Sequence, residues 1–305
     1  MKTHTSTILI DKTRGLKFTE SPRWRDGKLW FLDIHDKRIK TADLGGHVET
    51  AVELPFIPNA FGHRRDGSLL VGDAMQRQIH RWDGKSLQPV ADLSGITTFC
   101  LSDGIVDAHD RLYVGDIGYN FFDPANKPVD TCVIACLDPD GRARVVAKDL
   151  SFPNGIVVTP DGKTMIVAET MGHRLTAFDV QADGSLANRR VYAQLPEDVS
   201  PDGIALDAED AVWLANPEGQ FGVLRVREGG EIVERVELDT EGYAVMLGGP
   251  ERRHLFICGS DSHDPAEIAR TPSATLWVVK VEVPGAGSGL YGVNHRFRSC
   301  QGKKT

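Results

Sequence analysis

Oxygen-bearing side chains recur at one point of an internal repeat in this chain: Glu20, Asn59, Ser102 with Asp103, Asn154, Asp202 and Tyr243. If the fold brings them together, they form a ring of carboxylate, amide and hydroxyl groups. Buried carboxylates without a partner are costly, and a bound cation supplies the missing counter-charge. All-oxygen donor sets suit hard ions such as Ca²⁺, Mg²⁺ or Mn²⁺. Nucleophilic-serine and zincin chemistry have no support: the chain contains neither Gly-x-Ser-x-Gly nor His-Glu-x-x-His. Pro-Asn-Gly and Pro-Asp-Gly are ordinary turn tripeptides. Their shared position in the repeat, which Glu20 also occupies, is what marks them.

That position is set by six similar units. Each opens on one of these residues, passes through a polar turn, and reaches a run rich in β-branched and aromatic residues. Asp26-Gly27 leads to Leu29-Trp-Phe-Leu-Asp33, and Asp66-Gly67 to Leu69-Leu-Val-Gly-Asp73. Later units have His109-Asp110, Asp161-Gly162, Glu209-Asp210 and Glu251-Arg252 at the same point. Asp-Gly between two such runs is a strong hairpin signal. A third alternating strand follows, as in Gln78-Ile-His-Arg-Trp82 and Arg174-Leu-Thr-Ala-Phe178. The units start at 20, 59, 102, 154, 202 and 243. A period of about 40–50 residues with three or four strands each is that of a propeller blade. The sequence therefore predicts an all-β, six-bladed propeller as a single domain over 1–305, with a central channel lined by the first strand of each unit. The segment Ser6-Thr-Ile-Leu-Ile10 is expected to pair with Thr275-Leu-Trp-Val-Val-Lys-Val281 in the last blade and close the ring. Asp33, Asp73, Asp116, Glu169 and Asn216, at the ends of the second strands, are expected to cap the turns that follow them.

Composition narrows the partners. The 305 residues carry 35 Lys and Arg against 43 Asp and Glu, a formal charge of −8. An acidic chain without a basic block argues against nucleic acid or anionic membranes as partners. No apolar run approaches a membrane span or a signal-peptide core, and five sparse cysteines point to reduced, structural thiols and a cytoplasmic protein.

The motifs together resemble one known family: the senescence marker protein, gluconolactonase and luciferin-regenerating enzyme group. The resemblance covers nearly the whole chain. It is carried by Glu20-Ser-Pro-Arg-Trp24, Ser102-Asp-Gly104, Phe152-Pro-Asn-Gly155, Ser200-Pro-Asp-Gly-Ile204 and Leu247-Gly-Gly-Pro250. It implies a six-bladed propeller, a single divalent metal ion held by Glu20, Asn154 and Asp202, and hydrolysis of a lactone ring with Asp202 as general base. Ca²⁺ is the first choice of ion, with Mg²⁺, Mn²⁺ and Zn²⁺ as alternatives. The sugar-lactone members carry Arg-x-Asn-Asp-Gly at the third unit, where this chain has Cys100-Leu-Ser-Asp-Gly104, and Asn120 aligns with their acidic loop residue. Aromatic residues are added beside it, in Gly118-Tyr-Asn-Phe-Phe122. Cys100, Ser102, Asp103, Asn120, Asn59 and Tyr243 are the expected substrate contacts, and the expected substrate is a small lactone or related ester with fewer hydroxyl groups than a sugar lactone.

The expected mechanism has the metal polarise the carbonyl, while Asp202 or a metal-bound hydroxide activates the water. Two other readings compete on the same scaffold: hydrolysis of another ester or a phosphotriester, and a propeller without catalytic activity. A synthase of the strictosidine-synthase type would call for secretion. Fold alone does not choose between them.

Overall fold

A computed structural model describes residues 1–123, 125–218 and 222–287. Cys300, one of the five cysteines, lies outside the described residues. The chain forms six sheets arranged in a ring, as the repeat predicts, five of four antiparallel strands and one with a fifth strand added. The blades cover 19–53, 58–92, 101–150, 153–194, 204–237 and 241–280. Their innermost strands are Thr19–Arg25, Pro58–His63, Leu101–Val106, Pro153–Val158, Ile204–Leu206 and Glu241–Gly248. Helix is confined, among the described residues, to Pro265–Arg270 and three single 3₁₀ turns.

The hairpin turns form where the polar pairs stand. Asp26 and Gly27 both have positive φ, 51° and 78°, the combination a two-residue hairpin turn requires. Gly162 at 72° serves the equivalent turn in the fourth blade.

The core lies between blades. Six hydrophobic clusters each span two neighbouring blades and so account for every junction of the ring. Leu32, Ile39 and Val52 of the first blade meet Phe61 and Val71 of the second, for example. Phe31, Phe61 and Phe256 are fully buried. Each such ring contributes about 2–3 kcal/mol by leaving water.

Closure uses the N-terminal segment twice. Thr7–Ile10 becomes the outer strand of the sixth blade, antiparallel to Ala274–Lys280, with Thr7 opposite Val278 and Ile10 opposite Leu276. This is the expected pairing. Lys2–Thr5 also adds a fifth, parallel strand to the fifth blade, beside Ile232–Glu237. His4 Nε2 meets Glu234 Oε2 at 2.5 Å there. The sequence does not signal this parallel addition, because four residues, Lys-Thr-His-Thr, carry almost no apolar pattern.

Candidate functional site

Five of the six innermost strands break their ladder where the repeat begins. The register shifts between Glu20 and Arg23, Asn59 and Phe61, Leu101 and Gly104, Pro153 and Ile156, and Gly242 and Ala244. Such bulges re-aim a side chain that a regular pleat would send elsewhere. Ser21 and Ala60, directly after Glu20 and Asn59, take left-handed backbone at φ 49° and 53°. Left-handed backbone is strained for residues with a Cβ, at about 1–3 kcal/mol each. In the fifth blade Asp202 stands just ahead of the strand, with its N–H donating to Ala215 O at 3.0 Å.

The blades approach closely here. The Gly155 N–H donates to Asp202 O at 3.2 Å, which joins the fourth innermost strand to the fifth, and the Gly203 N–H donates to Tyr243 O at 2.9 Å, which joins the fifth to the sixth. A Cβ on Gly155 would stand 2.6 Å from Asp202 O and from Ile204 N. Only glycine permits this spacing.

Glu20, Asp103, Asn154 and Asp202 are brought together at the hub. Glu20, Asp103 and Asp202 are each at most 9% exposed. Burial, then the charge of Asp103, pushes the Glu20 carboxyl up to about 8, with the Ser21 N–H and Arg23 pulling the other way. Burial, then Glu20 and Asp103, raises Asp202 well above the ordinary carboxylate range. The neighbouring Asn154 amide opposes that rise. Ser102 Oγ donates to Asn154 Oδ1 at 3.5 Å, and Asn154 Nδ2 donates to Thr170 Oγ1 at 3.3 Å. Thr170 in turn donates to Pro201 O at 2.8 Å, beside Asp202.

Other expected contacts stand further out. The Asn59 amide is engaged by Leu101 O and the Ala60 N–H. Tyr243 packs edge-on against Phe18 at 4.7 Å, and its hydroxyl bonds to Glu241 and, at 3.3 Å, to His263 Nδ1. The charges of Asp202 and Glu20 both act on that hydroxyl, which places Tyr243 at the edge of the hub. Cys100 is buried, and its thiol is pushed up to about 12 by burial and then by Asp116. Asn120 lies in the loop after the third blade's second strand, where it accepts from the Phe122 N–H at 3.1 Å.

Three features lie outside the sequence reading. The residues that end the second strands mostly reach back rather than forward. Asp33 accepts from the Lys17 and Phe18 amides, Asp116 from Thr98, Glu169 from Ser151, and Asn216 from Ser200. Each therefore pins the loop that enters a hub strand. Asp73 caps its own turn through Gln76, as expected, and Asp116 also takes the Gly118 amide. Second, Arg23 crosses the channel to Asp103. Its place in the Glu20-Ser-Pro-Arg-Trp24 motif is the one sequence signal for it. Third, aromatic rings gather beside blades three and four. Phe121 lies 6.2 Å from Phe152, 6.5 Å from Phe99 and 4.0 Å from Phe122, and Tyr119 lies 6.3 Å from Phe152. Phe152 is two residues from Asn154. Glu218, exposed, faces both Tyr119 and Asp202.

The donor set suits a hard divalent cation. Burial and then the neighbouring carboxylates raise the pKa of both Glu20 and Asp202, and an added positive charge opposes that rise. Among the described residues no group of three or more His, Cys, Asp and Glu side chains is arranged to hold a metal. Glu20 and Asp202 would share an ion with the Asn154 amide, and water or substrate would complete the coordination.

A six-bladed ring with carboxylate and amide oxygens at its axis defines a propeller with a polar hub. The chain belongs to the SMP-30/gluconolactonase/LRE-like family, whose model matches residues 18–260. Among curated proteins it is 27% identical over 282 residues to a 6-deoxy-6-sulfogluconolactonase of Pseudomonas putida, covering 89% of this chain and 94% of that one. It is 27% identical to a pentonolactonase of Haloferax volcanii, over 83% and 84% of the two chains, and 24% identical to human regucalcin, over 84% and 87%. Among solved structures, a calcium-binding regucalcin of Agrobacterium tumefaciens superposes with a TM-score of 0.78 at 23% identity, covering 96% of this chain and all of that one. A luciferin-regenerating enzyme superposes at 0.73 and 20% identity, over 90% and 95%. These likenesses carry the fold. Among the described residues no helix is long and apolar enough to cross a membrane.

Proposed function

We propose that this protein is a divalent-metal-dependent hydrolase that opens a lactone ring. The observation that carries the reading is the convergence of Glu20, Asn154 and Asp202 at the hub, where burial and neighbouring carboxylates raise the proton affinity of both acids. Relatives named as lactonases support the reaction class. Glu20, Asn154 and Asp202 would hold the ion, with Ca²⁺ the first candidate. When bound, the ion supplies Lewis acidity to a carbonyl oxygen and makes a neighbouring water more acidic.

The chain's own groups do the rest. Asp202 accepts a proton from the water that attacks the carbonyl carbon. Asn154, beside the Asp202 carboxyl, would orient that carboxylate. As the ring C–O bond breaks, the proton taken up by Asp202 passes to the departing oxygen, leaving a hydroxy acid. The rings of Phe99, Tyr119, Phe121 and Phe152 give one side of the mouth an apolar wall. Such a wall favours a lactone or ester with fewer hydroxyl groups than a sugar lactone.

The test is a panel of lactones and aryl esters assayed on chelator-stripped protein, with single metals restored. Hydrolysis that returns with one metal, and is lost in Asp202→Asn while that metal still binds, supports the reading. Full activity in Asp202→Asn would remove Asp202 as the base, and metal-independent turnover would remove the ion.

A further inference from the structure

Arg23 lies directly beneath the hub. Its guanidinium spans three blades: Nη1 donates to Pro22 O at 2.9 Å in the first, and Nη2 donates to Asp103 Oδ1 at 3.0 Å and Gly104 O at 2.5 Å in the third. Its Cζ lies 5.7 Å from the centre of the Phe61 ring in the second. Below it the channel is lined by apolar residues, among them Ile105, Ile156, Ile204 and Leu247, around a cavity of about 120 Å³. Arg23 therefore separates a charged upper channel from a greasy lower one.

Asp103 is the third carboxylate of the hub, and its charge acts on both Glu20 and Asp202. Its Oδ1 atom takes both the Arg23 guanidinium and the Ser21 hydroxyl, the latter at 2.9 Å. Side-chain exposures of 16% for Arg23 and 8% for Asp103 leave little water to screen the pair. With all three carboxylates ionised the cluster carries −3, and Arg23 brings it to −2, the charge one divalent ion neutralises.

We infer that Arg23 is a positioning residue that holds Asp103 out of the metal's coordination shell and sets the hub's charge to match a single dication. This rests on the metal-dependent reading above. With Asp103 bolted to a permanent cation, Glu20, Asn154 and Asp202 remain as ligands and the ion keeps open positions for water and substrate. An arginine suits the task because its guanidinium stays charged and forks to two acceptors at once.

The test is Ca²⁺ titrated calorimetrically into chelator-stripped full-length protein at one fixed pH. Arg23→Met leaves −3 and should bind Ca²⁺ about tenfold more tightly, as expected for one charge beside a dication in a partly solvated site. Asp103→Asn leaves −1 and should bind about tenfold more weakly. The Arg23→Met/Asp103→Asn double variant returns to −2 and should bind within about threefold of the unaltered protein. Arg23→Lys, which keeps the charge, should do the same. A merely architectural arginine would weaken binding in Arg23→Met and in the double variant alike, and that order overturns the inference. If Arg23→Met does not fold, Asp103→Asn alone decides, since unchanged or tighter binding refutes it. Absence of Ca²⁺ binding by the unaltered protein would refute the metal reading and this inference together. Normal binding with the wrong order among variants refutes this inference alone.

Discussion

Replacing Gly155 with alanine tests whether the spacing of the fourth and fifth blades sets the hub. The added Cβ would meet Asp202 O and Ile204 N at 2.6 Å and Gly203 Cα at 2.9 Å, all of them backbone atoms that cannot rotate away. Ordinary contact at about 3.4 Å or more requires the strands to part by nearly 1 Å. That movement breaks the 3.2 Å bond from the Gly155 N–H to Asp202 O. Overpacking costs about 1–3 kcal/mol and the lost hydrogen bond about 1 kcal/mol. At about 2 °C per kcal/mol for a chain of this size, the melting temperature should fall by about 4–8 °C. Asn154 moves with Gly155 and away from Asp202, so Ca²⁺ affinity should fall tenfold or more. Gly162→Ala in the same hairpin is the control. Gly162 has φ +72° and no atom within 4 Å of the position a methyl group would take, so its cost is backbone strain far from the hub. Calorimetric titration and thermal melts of both variants decide the matter. Wild-type metal affinity in Gly155→Ala, or an equal loss in Gly162→Ala, would refute the argument.

Three further outcomes are expected. Saturating Ca²⁺ at a hundred times its dissociation constant should stabilise chelator-treated protein by about 2.7 kcal/mol, or about 5 °C; superposed melting curves would count against a metal at the hub. His63 is buried, and its pKa is pushed down to about 3 by burial and then by Arg25 and Arg23. Below about pH 6.5 the unfolded chain binds a proton that folded His63 does not, so stability present above that pH is lost at about 1.4 kcal/mol per unit as pH falls toward 3. Urea midpoints at pH 7 and pH 5 should therefore converge in His63→Phe relative to wild type, and an unchanged difference would rule this out. Arg225 bonds Asp207 at 2.7 Å and Glu234 at 3.0 Å, and the Asp207 side chain is fully buried. Arg225→Met leaves that carboxylate without its cation and should cost about 3–5 kcal/mol in a denaturant titration; a loss below about 1 kcal/mol would contradict it.

The ring and its hub were legible because both depend on periodic pattern. Glu20, Asn154 and Asp202 open three units of one repeat, and residues at one point of a repeat share one place in the ring. The bulges that aim Glu20 and Asn154 were not legible. Ser21 and Ala60 adopt left-handed backbone although nothing in a serine or an alanine asks for it. Arg23 was hidden for another reason. Its partner is 80 residues away in the chain, and only the closed ring brings the two together. The direction of the strand-end clamps was hidden on the same account. Asp33 immediately precedes the turn at Ile34–Asp36, yet its oxygens hold Lys17 and Phe18 on the far side of the hairpin. The aromatic wall was half visible. Tyr119, Phe121 and Phe122 stand together in sequence, whereas Phe99 and Phe152 join them only in space.

The double pairing of the N-terminal segment orders the protein's assembly in time. Residues 2–10 leave the ribosome well before their partners at 232–237 and 274–280, and Lys2 meets Glu282 across 280 positions of chain. Until those late strands emerge, the first strands must wait unpaired, and blade one has no neighbour on one flank. The hub draws on the first, third, fourth and fifth blades, so a nascent chain has its full set of oxygens only once Asp202, about two-thirds of the way along, has been made, and the ring that gathers them closes only with the sixth blade. An ion offered during translation would find no fitted seat, and any loading would await the finished wheel.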